Sequence, residues 1–200
     1  MERVKKAVKG LFFDFDGVVT LDKQGTPLIV AYISKETGIP LDVVDGAYRK
    51  FNRDLLCGNV THREMWGRFC ADIGRDVSYD ILERSFLNVN LDPKMIQYIR
   101  DRKGSYLIGM ITDNKADRID AIIEHTEIKG LFDVVIISAN VRARKTERKI
   151  FEEALRQSGL EADECVFIDN APENLKRPAE MGFTTIYFDD EKREYDKLVF

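Results

Sequence analysis

Five short apolar runs, Leu11–Phe15, Leu107–Thr112, Val134–Ser138, Val166–Asp169 and Thr184–Phe188, constrain this chain more than any other feature. Their hydrophobicity is nearly unbroken rather than alternating, as strands covered on both faces require. Between the last four lie segments with helical spacing. The first carries Ile119, Ile122 and Ile123. The second carries Ile150, Phe151, Ala154 and Leu155, starting after Thr146 as N-cap and stopping at Ser158-Gly159. The third runs from Pro172 to Gly182, with Pro178 inside it as a residue that should kink or shorten the helix. Strand and helix in alternation predict an α/β fold built on a Rossmann-like, doubly wound parallel sheet.

Residues 21–104 separate the first run from the second and are far too many for one crossover. Their patterns are helical throughout. Val44, Ala47, Tyr48, Phe51 and Leu55 form one stripe, and Met65, Trp66, Phe69, Cys70 and Ile73 another. Ile29 and Ile33 suggest a shorter helix before them, and Ile81, Leu82, Phe86 and Val89 one after. Asp92-Pro93 then opens a helix returning to the sheet. The spacing predicts a core domain over 1–21 and 91–200 and an inserted helical domain over 22–90, with hinges near 20–25 and 88–92.

Lys and Arg number 31 and Asp and Glu 35, a net charge of −4, so charge offers no reason to bind nucleic acid or an anionic membrane surface. No apolar run is long enough to span a bilayer. Basic residues occupy Met1–Gly10, but Leu11–Phe15 is too short for the core of a signal peptide and contains Asp14. Cys57, Cys70 and Cys165 are an odd count without CxxC spacing, which suits buried, reduced thiols in a cytoplasmic protein.

The polar residues are informative by position. Asp14 and Asp16 close the first run, Thr112 and Asp113 the second, and Asp169 the fourth. The carboxyl ends of strands in an open parallel sheet share one edge, where ligands bind. Three carboxylates meeting there repel one another unless a cation joins them, and an all-oxygen set favours Mg²⁺. A metal-assisted reaction on an anionic substrate follows. A lone Asp after a strand is usually a turn or cap residue. Two acids within Phe12–Val18 are different: they oppose strand propensity in the most apolar stretch of the chain, and such conflicts mark function. Gly17 permits a tight bend beside them.

Asp14-Phe15-Asp16-Gly17-Val18 resembles the DxDGV signature of the haloacid dehalogenase-like (HAD-like) superfamily of phosphohydrolases. Ile111-Thr112-Asp113 resembles its second motif. Ser138–Val141 with Lys145 and Ile150-Phe151 resembles the third, and Val166–Asn170 with Glu173-Asn174 and Gly182 the fourth. The insertion stands where C1-type caps stand, and the last third is similar to the small sugar-phosphate phosphatases of the superfamily.

The resemblance implies a cytoplasmic, Mg²⁺-dependent phosphatase acting on a small phosphorylated metabolite. Asp14 is then the nucleophile that forms an aspartyl-phosphate, and Asp16 the acid that protonates the leaving alcohol and later deprotonates water. Held beside Asp14 with little solvent, Asp16 is expected to keep its proton near neutral pH. The Asp14 carboxylate, the Asp16 main-chain carbonyl and Asp169 are the implied metal ligands, and Thr112, Asp113 and Lys145 the implied phosphate-binding positions. Asp113 stands where Asn is frequent, Thr146 replaces a common Pro but can still cap the next helix, and Asn170 replaces a second acid. The turn Cys57–Thr61 is a candidate to face the substrate; Arg49, Asn52 and Arg53 read as exposed helix positions, and His62 and His125 as neither ligands nor bases. A phosphomutase, a 2-haloacid dehalogenase and a non-catalytic binding protein are the alternatives, with Asp16 arguing against the dehalogenase.

Overall fold

A computed structural model describes residues 7–200; the first six residues, with Arg3, Lys5 and Lys6 of the basic stretch, lie outside them. The apolar runs become β1 (Gly10–Phe13), β2 (Leu107–Thr112), β3 (Val134–Ile137), β4 (Cys165–Asp169) and β5 (Thr184–Tyr187). They form one parallel sheet in the order β3-β2-β1-β4-β5. Asp14 and Ser138, expected to end their strands, instead begin the turns that leave the sheet edge.

Helices α1 (Gly25–Thr37), α2 (Leu41–Leu56), α3 (His62–Asp72) and α4 (Tyr79–Phe86) follow β1, and α5 (Pro93–Arg100) leads into β2. The remaining helices are α6 (Ala116–His125), the single turn α7 (Ser138–Val141), α8 (Arg148–Ser158) and α9 (Pro172–Met181). Successive strand side chains point to opposite faces, so β1 feeds two cores. Leu11 and Phe13 pack with Met95, Ile96 and Ile99 of α5 and Ile119 and Ile122 of α6. Phe12 packs with Ile150, Phe151 and Ala154 of α8. Both faces are therefore covered, which explains why the strands are apolar without a break.

The stripes of α2 and α3 bury against α1 and α4 in a third core of their own. The chain enters and leaves this insertion side by side: Thr20 bridges Leu91 antiparallel, Leu21 N donates to Asn90 O at 2.8 Å, and Asn90 donates to the Asp22 carboxylate.

Four local expectations are corrected. Helix α1 has 13 residues rather than a short pattern around Ile29 and Ile33. Glu147, not Thr146, occupies the N-cap of α8, because the preceding turn closes on itself: Glu147 N donates to Arg144 O, and Arg144 N to the Glu147 carboxylate. Helix α9 runs through Pro178 to Met181 and ends at left-handed Gly182 (φ 104°), so that proline forfeits its own N–H without ending the helix. Cys57 is only partly buried, whereas Cys70 and Cys165 are buried; burial pushes the Cys165 thiol up to about 12. Among the described residues no helix is long and apolar enough to cross a membrane.

Candidate active site

The β1 ladder delivers Asp14 to the sheet edge: its N–H still donates to Ile168 O of β4 at 2.9 Å, and the chain then turns sharply through Phe15–Val19. Gly17 is required in this turn. Its φ is 85°, and a Cβ there would sit 2.2 Å from the Asn170 amide nitrogen. Asp14 and Asp169 both accept from the Lys145 ammonium, at 2.8 and 2.7 Å. Lys145 is 2% exposed and Asp169 fully buried. Asp169 is held further by Ala171 N (2.7 Å) and by the Asn174 amide (3.2 Å), and Asp14 Oδ1 by Phe15 N (2.7 Å). Burial pushes the Asp14 carboxyl well above the usual carboxylate range and Asp169 adds to the effect, against the opposing pull of Lys145. Burial opposes the charge on Lys145 as well, but the two carboxylates outweigh it and hold this ammonium protonated.

Asp16 lives in a different field. The Arg118 guanidinium grips it through two parallel bonds of 2.8 Å, and Asn114 Nδ2 adds a third of 2.8 Å. Burial alone would raise its pKa; Arg118 and Asn114 outweigh that and hold the carboxyl below the usual range. The expectation that Asp16 keeps its proton near neutral pH is therefore corrected. So is the picture of three carboxylates around one cation: among the described residues no three Asp, Glu, His or Cys side chains are arranged to hold a metal. The chain neutralises Asp16 with its own guanidinium, leaving Asp14 and Asp169 together.

Thr112 is buried at the end of β2, and its Oγ1 accepts from Asn114 Nδ2 at 3.3 Å, which leaves the hydroxyl proton to donate elsewhere. Asp113, expected at the phosphate, is turned to the loop before α8, where it accepts from Lys145 N (3.0 Å) and Arg144 Nε (2.8 Å). It places the lysine rather than standing free. Asn170 donates to Asp190 at 3.1 Å.

Several residues of the site carry no signature in the sequence. Arg118, 1% exposed, precedes the α6 isoleucines with nothing in the sequence to mark its partner. Arg193, from the segment after β5, donates to Gly17 O (3.1 Å) and Val18 O (2.8 Å) and pairs with Asp92, which braces the turn carrying Asp16. Lys115 is 3% exposed; burial pushes its ammonium down to about 7, with Arg118 adding to the shift.

The insertion closes over this edge. Ser138 Oγ donates to Leu56 O at 2.6 Å, and Gly58 (φ 66°) lies so close that a Cβ would be 1.9 Å from Ala139 O. His62 is fully buried between Tyr48 Oη (2.6 Å) and the Asp117 carboxylate (2.7 Å), a joint between insertion and sheet domain. The Cys57–Thr61 turn thus meets the sheet domain. Between the two bodies lies a cavity of about 580 Å³ lined by Asp14, Asp16, Thr112, Asp113 and Lys145 from the sheet edge and by Gln24, Thr26, Asn52 and Leu56 from the insertion. Asn52, expected as an exposed helix position, lines this cavity.

A family model described as haloacid dehalogenase-like hydrolase matches residues 8–182. The chain is 26% identical over 150 residues to the pyrimidine 5'-nucleotidase YjjG of Escherichia coli (strain K12), covering 70% of this chain and 67% of that protein. Among solved structures it is similar to the HAD family enzyme bt-2542 from Bacteroides thetaiotaomicron, a complex with magnesium and inorganic phosphate. The TM-score is 0.76 at 16% identity, covering 96% of this chain and 100% of that one. A HAD-like family hydrolase from Porphyromonas gingivalis superposes with a TM-score of 0.72 at 19% identity, covering 91% of each chain.

Proposed function

Because the chain belongs to the haloacid dehalogenase-like hydrolases, we propose that it is a Mg²⁺-dependent phosphatase that hydrolyses a small phosphorylated metabolite through an aspartyl-phosphate on Asp14. The observation that carries this reading is the buried Asp14–Lys145–Asp169 cluster opening on a cavity beside the Thr112 hydroxyl. The relative bt-2542 holding magnesium and phosphate supports it.

The donor set fits Mg²⁺. Two buried carboxylates share one ammonium, their donor atoms are oxygens, and the charge left over is negative. Asp14, Asp169 and the Asp16 main-chain carbonyl would hold the ion. When bound, it supplies positive charge that offsets repulsion between Asp14 and the phosphate dianion.

The chain's own residues do the rest. Both Lys145 and Phe15 donate to Asp14 Oδ1, so Oδ2 is the nucleophilic atom. It attacks phosphorus as the bond to the leaving alcohol breaks, and the electron pair departs with that oxygen. Asp16, two residues on, gives the leaving oxygen its proton and then takes one from the water that cleaves the aspartyl-phosphate, releasing phosphate and restoring Asp14. The Arg118 pair holds Asp16 in the ionised form that suits the second step. The first step requires that pair to loosen and Asp16 to be protonated. Thr112 donates to a phosphate oxygen, and Lys145 supplies charge to the same group.

The similarity to YjjG makes nucleoside monophosphates one substrate class to try. The polar residues of the insertion facing the cavity suit a hydrophilic alcohol such as a sugar. Hydrolysis of p-nitrophenyl phosphate tests the reading. Turnover is expected with Mg²⁺, is lost in EDTA, and falls on the order of 10³-fold or more in Asp14→Asn. Undiminished turnover by Asp14→Asn without metal overturns it.

A further inference from the structure

The mechanism above leaves one buried cation in the cavity unused. Lys115 caps the N-terminus of α6, and its Nζ touches one acceptor, Thr26 Oγ1 of the insertion, at 2.6 Å. Thr26 in turn donates to Asn52 Oδ1 at 3.0 Å. An ammonium has three N–H donors, and Thr26 takes one. Among the described residues no carboxylate lies within ion-pair distance of this nitrogen, although the side chain lines the same cavity as Asp14. Beside it, Arg144 also lines the cavity; its Nε is committed to Asp113, and its terminal nitrogens have no partner among the described residues. A buried ammonium without a counter-ion is costly. It stands where the insertion meets the sheet edge, in the same cavity that a substrate on Asp14 would occupy.

We infer that Lys115, with Arg144 beside it, receives a second anionic group carried by the substrate. The preferred esters are then those whose leaving alcohol bears a carboxylate or a second phosphate. This rests on the phosphatase reading and narrows it from phosphorylated metabolites in general to doubly anionic ones. Thr26 and Asn52 orient the ammonium, so the insertion selects the leaving group while the sheet edge handles the transferred phosphate. Neither Lys145 nor Thr112 serves the second anion, since both are committed to the phosphate and to Asp14.

Competition tests this in a matched three-carbon series. With p-nitrophenyl phosphate hydrolysis as reporter, apparent inhibition constants are measured for glycerol 3-phosphate, 3-phosphoglycerate and glycerol 1,3-bisphosphate. The three differ only in having a hydroxymethyl, a carboxylate or a second phosphate at the far carbon. At least one charged competitor is expected to act at least tenfold below the neutral one in concentration. Which of the two does so tells carboxylate from phosphate. In Lys115→Met that preference shrinks to within about threefold, and Lys115→Arg retains it. Equal inhibition by all three with the unaltered protein overturns the inference without any variant. An equal loss for all three in Lys115→Met overturns it too, because the lysine would then serve the transferred phosphate. Absence of reporter hydrolysis instead removes the phosphatase reading itself, and this inference with it.

Discussion

Asp14 and Asp16 are two residues apart, yet they occupy opposite electrostatic regions. Around Asp14, two carboxylates share a single ammonium and burial pushes the carboxyl up. Around Asp16, one carboxylate receives a whole guanidinium and an amide, and its carboxyl is held down. The first region lacks positive charge and is made wholly by residues of the sheet domain. The second is fully compensated and touches the insertion, since Gly25 of α1 lies directly against the Arg118 guanidinium. On the proposed mechanism, the contrast teaches that one turn can present a nucleophile that needs a further cation beside a proton carrier that must be released from one.

Asp16→Asn breaks the comparison most severely. Loss of the acid should slow alkyl phosphates by about 10²–10⁴-fold. An aryl phosphate, whose leaving group needs no proton, should still phosphorylate Asp14 and release one burst of nitrophenolate before stalling for want of the base. Equal steady losses on both esters, without a burst, would contradict the assigned role.

Lys145→Met removes the one cation that Asp14 and Asp169 share among the described residues. An unpaired buried charge costs about 3–5 kcal/mol, so Tm should drop sharply in EDTA and recover in part with Mg²⁺. A Tm that ignores Mg²⁺ would argue against a cation at these two carboxylates. Arg118→Met should cost less, toward the lower end of that range, because the Asp16 side chain keeps some solvent contact. Its pH dependence has a definite sign. A carboxyl depressed in the folded state stabilises above its unfolded pKa and loses that contribution as pH falls through the folded one. Urea titrations should therefore show the gap between Arg118→Met and the unaltered protein narrowing once pH drops below the ordinary carboxylate range.

The smallest effect belongs to the joint behind Asp16. Tyr48→Phe deletes the hydroxyl that meets His62 Nε2, a loss of about 1 kcal/mol. The buried imidazole still pairs with Asp117, so differential scanning calorimetry should find a slight drop in Tm. A large drop would show that this hydroxyl fixes the imidazole that reaches Asp117 of α6, making the His62–Asp117 pair, rather than Arg118 against Gly25, the main fastening between insertion and sheet.

Unbroken apolar runs suffice to read the five strands, because burial on both faces makes nearly every strand residue apolar. Helical periodicity suffices for the insertion and the stripe of α2, because burial on one helix face leaves a mark at every third to fourth residue. The edge residues Asp14, Thr112 and Asp169 were legible for a related reason: polar groups closing apolar runs must gather where parallel strands end. Charge pairing leaves no such mark. Asp16 and Arg118 are 102 positions apart, and Lys115 meets Thr26 across 89. Only the docking of α1 and α6 onto one edge decides which cation faces which acid, and with it the protonation of Asp16 and the unspent charge of Lys115. Coulombic partners follow from distance in space, and that distance is set by packing.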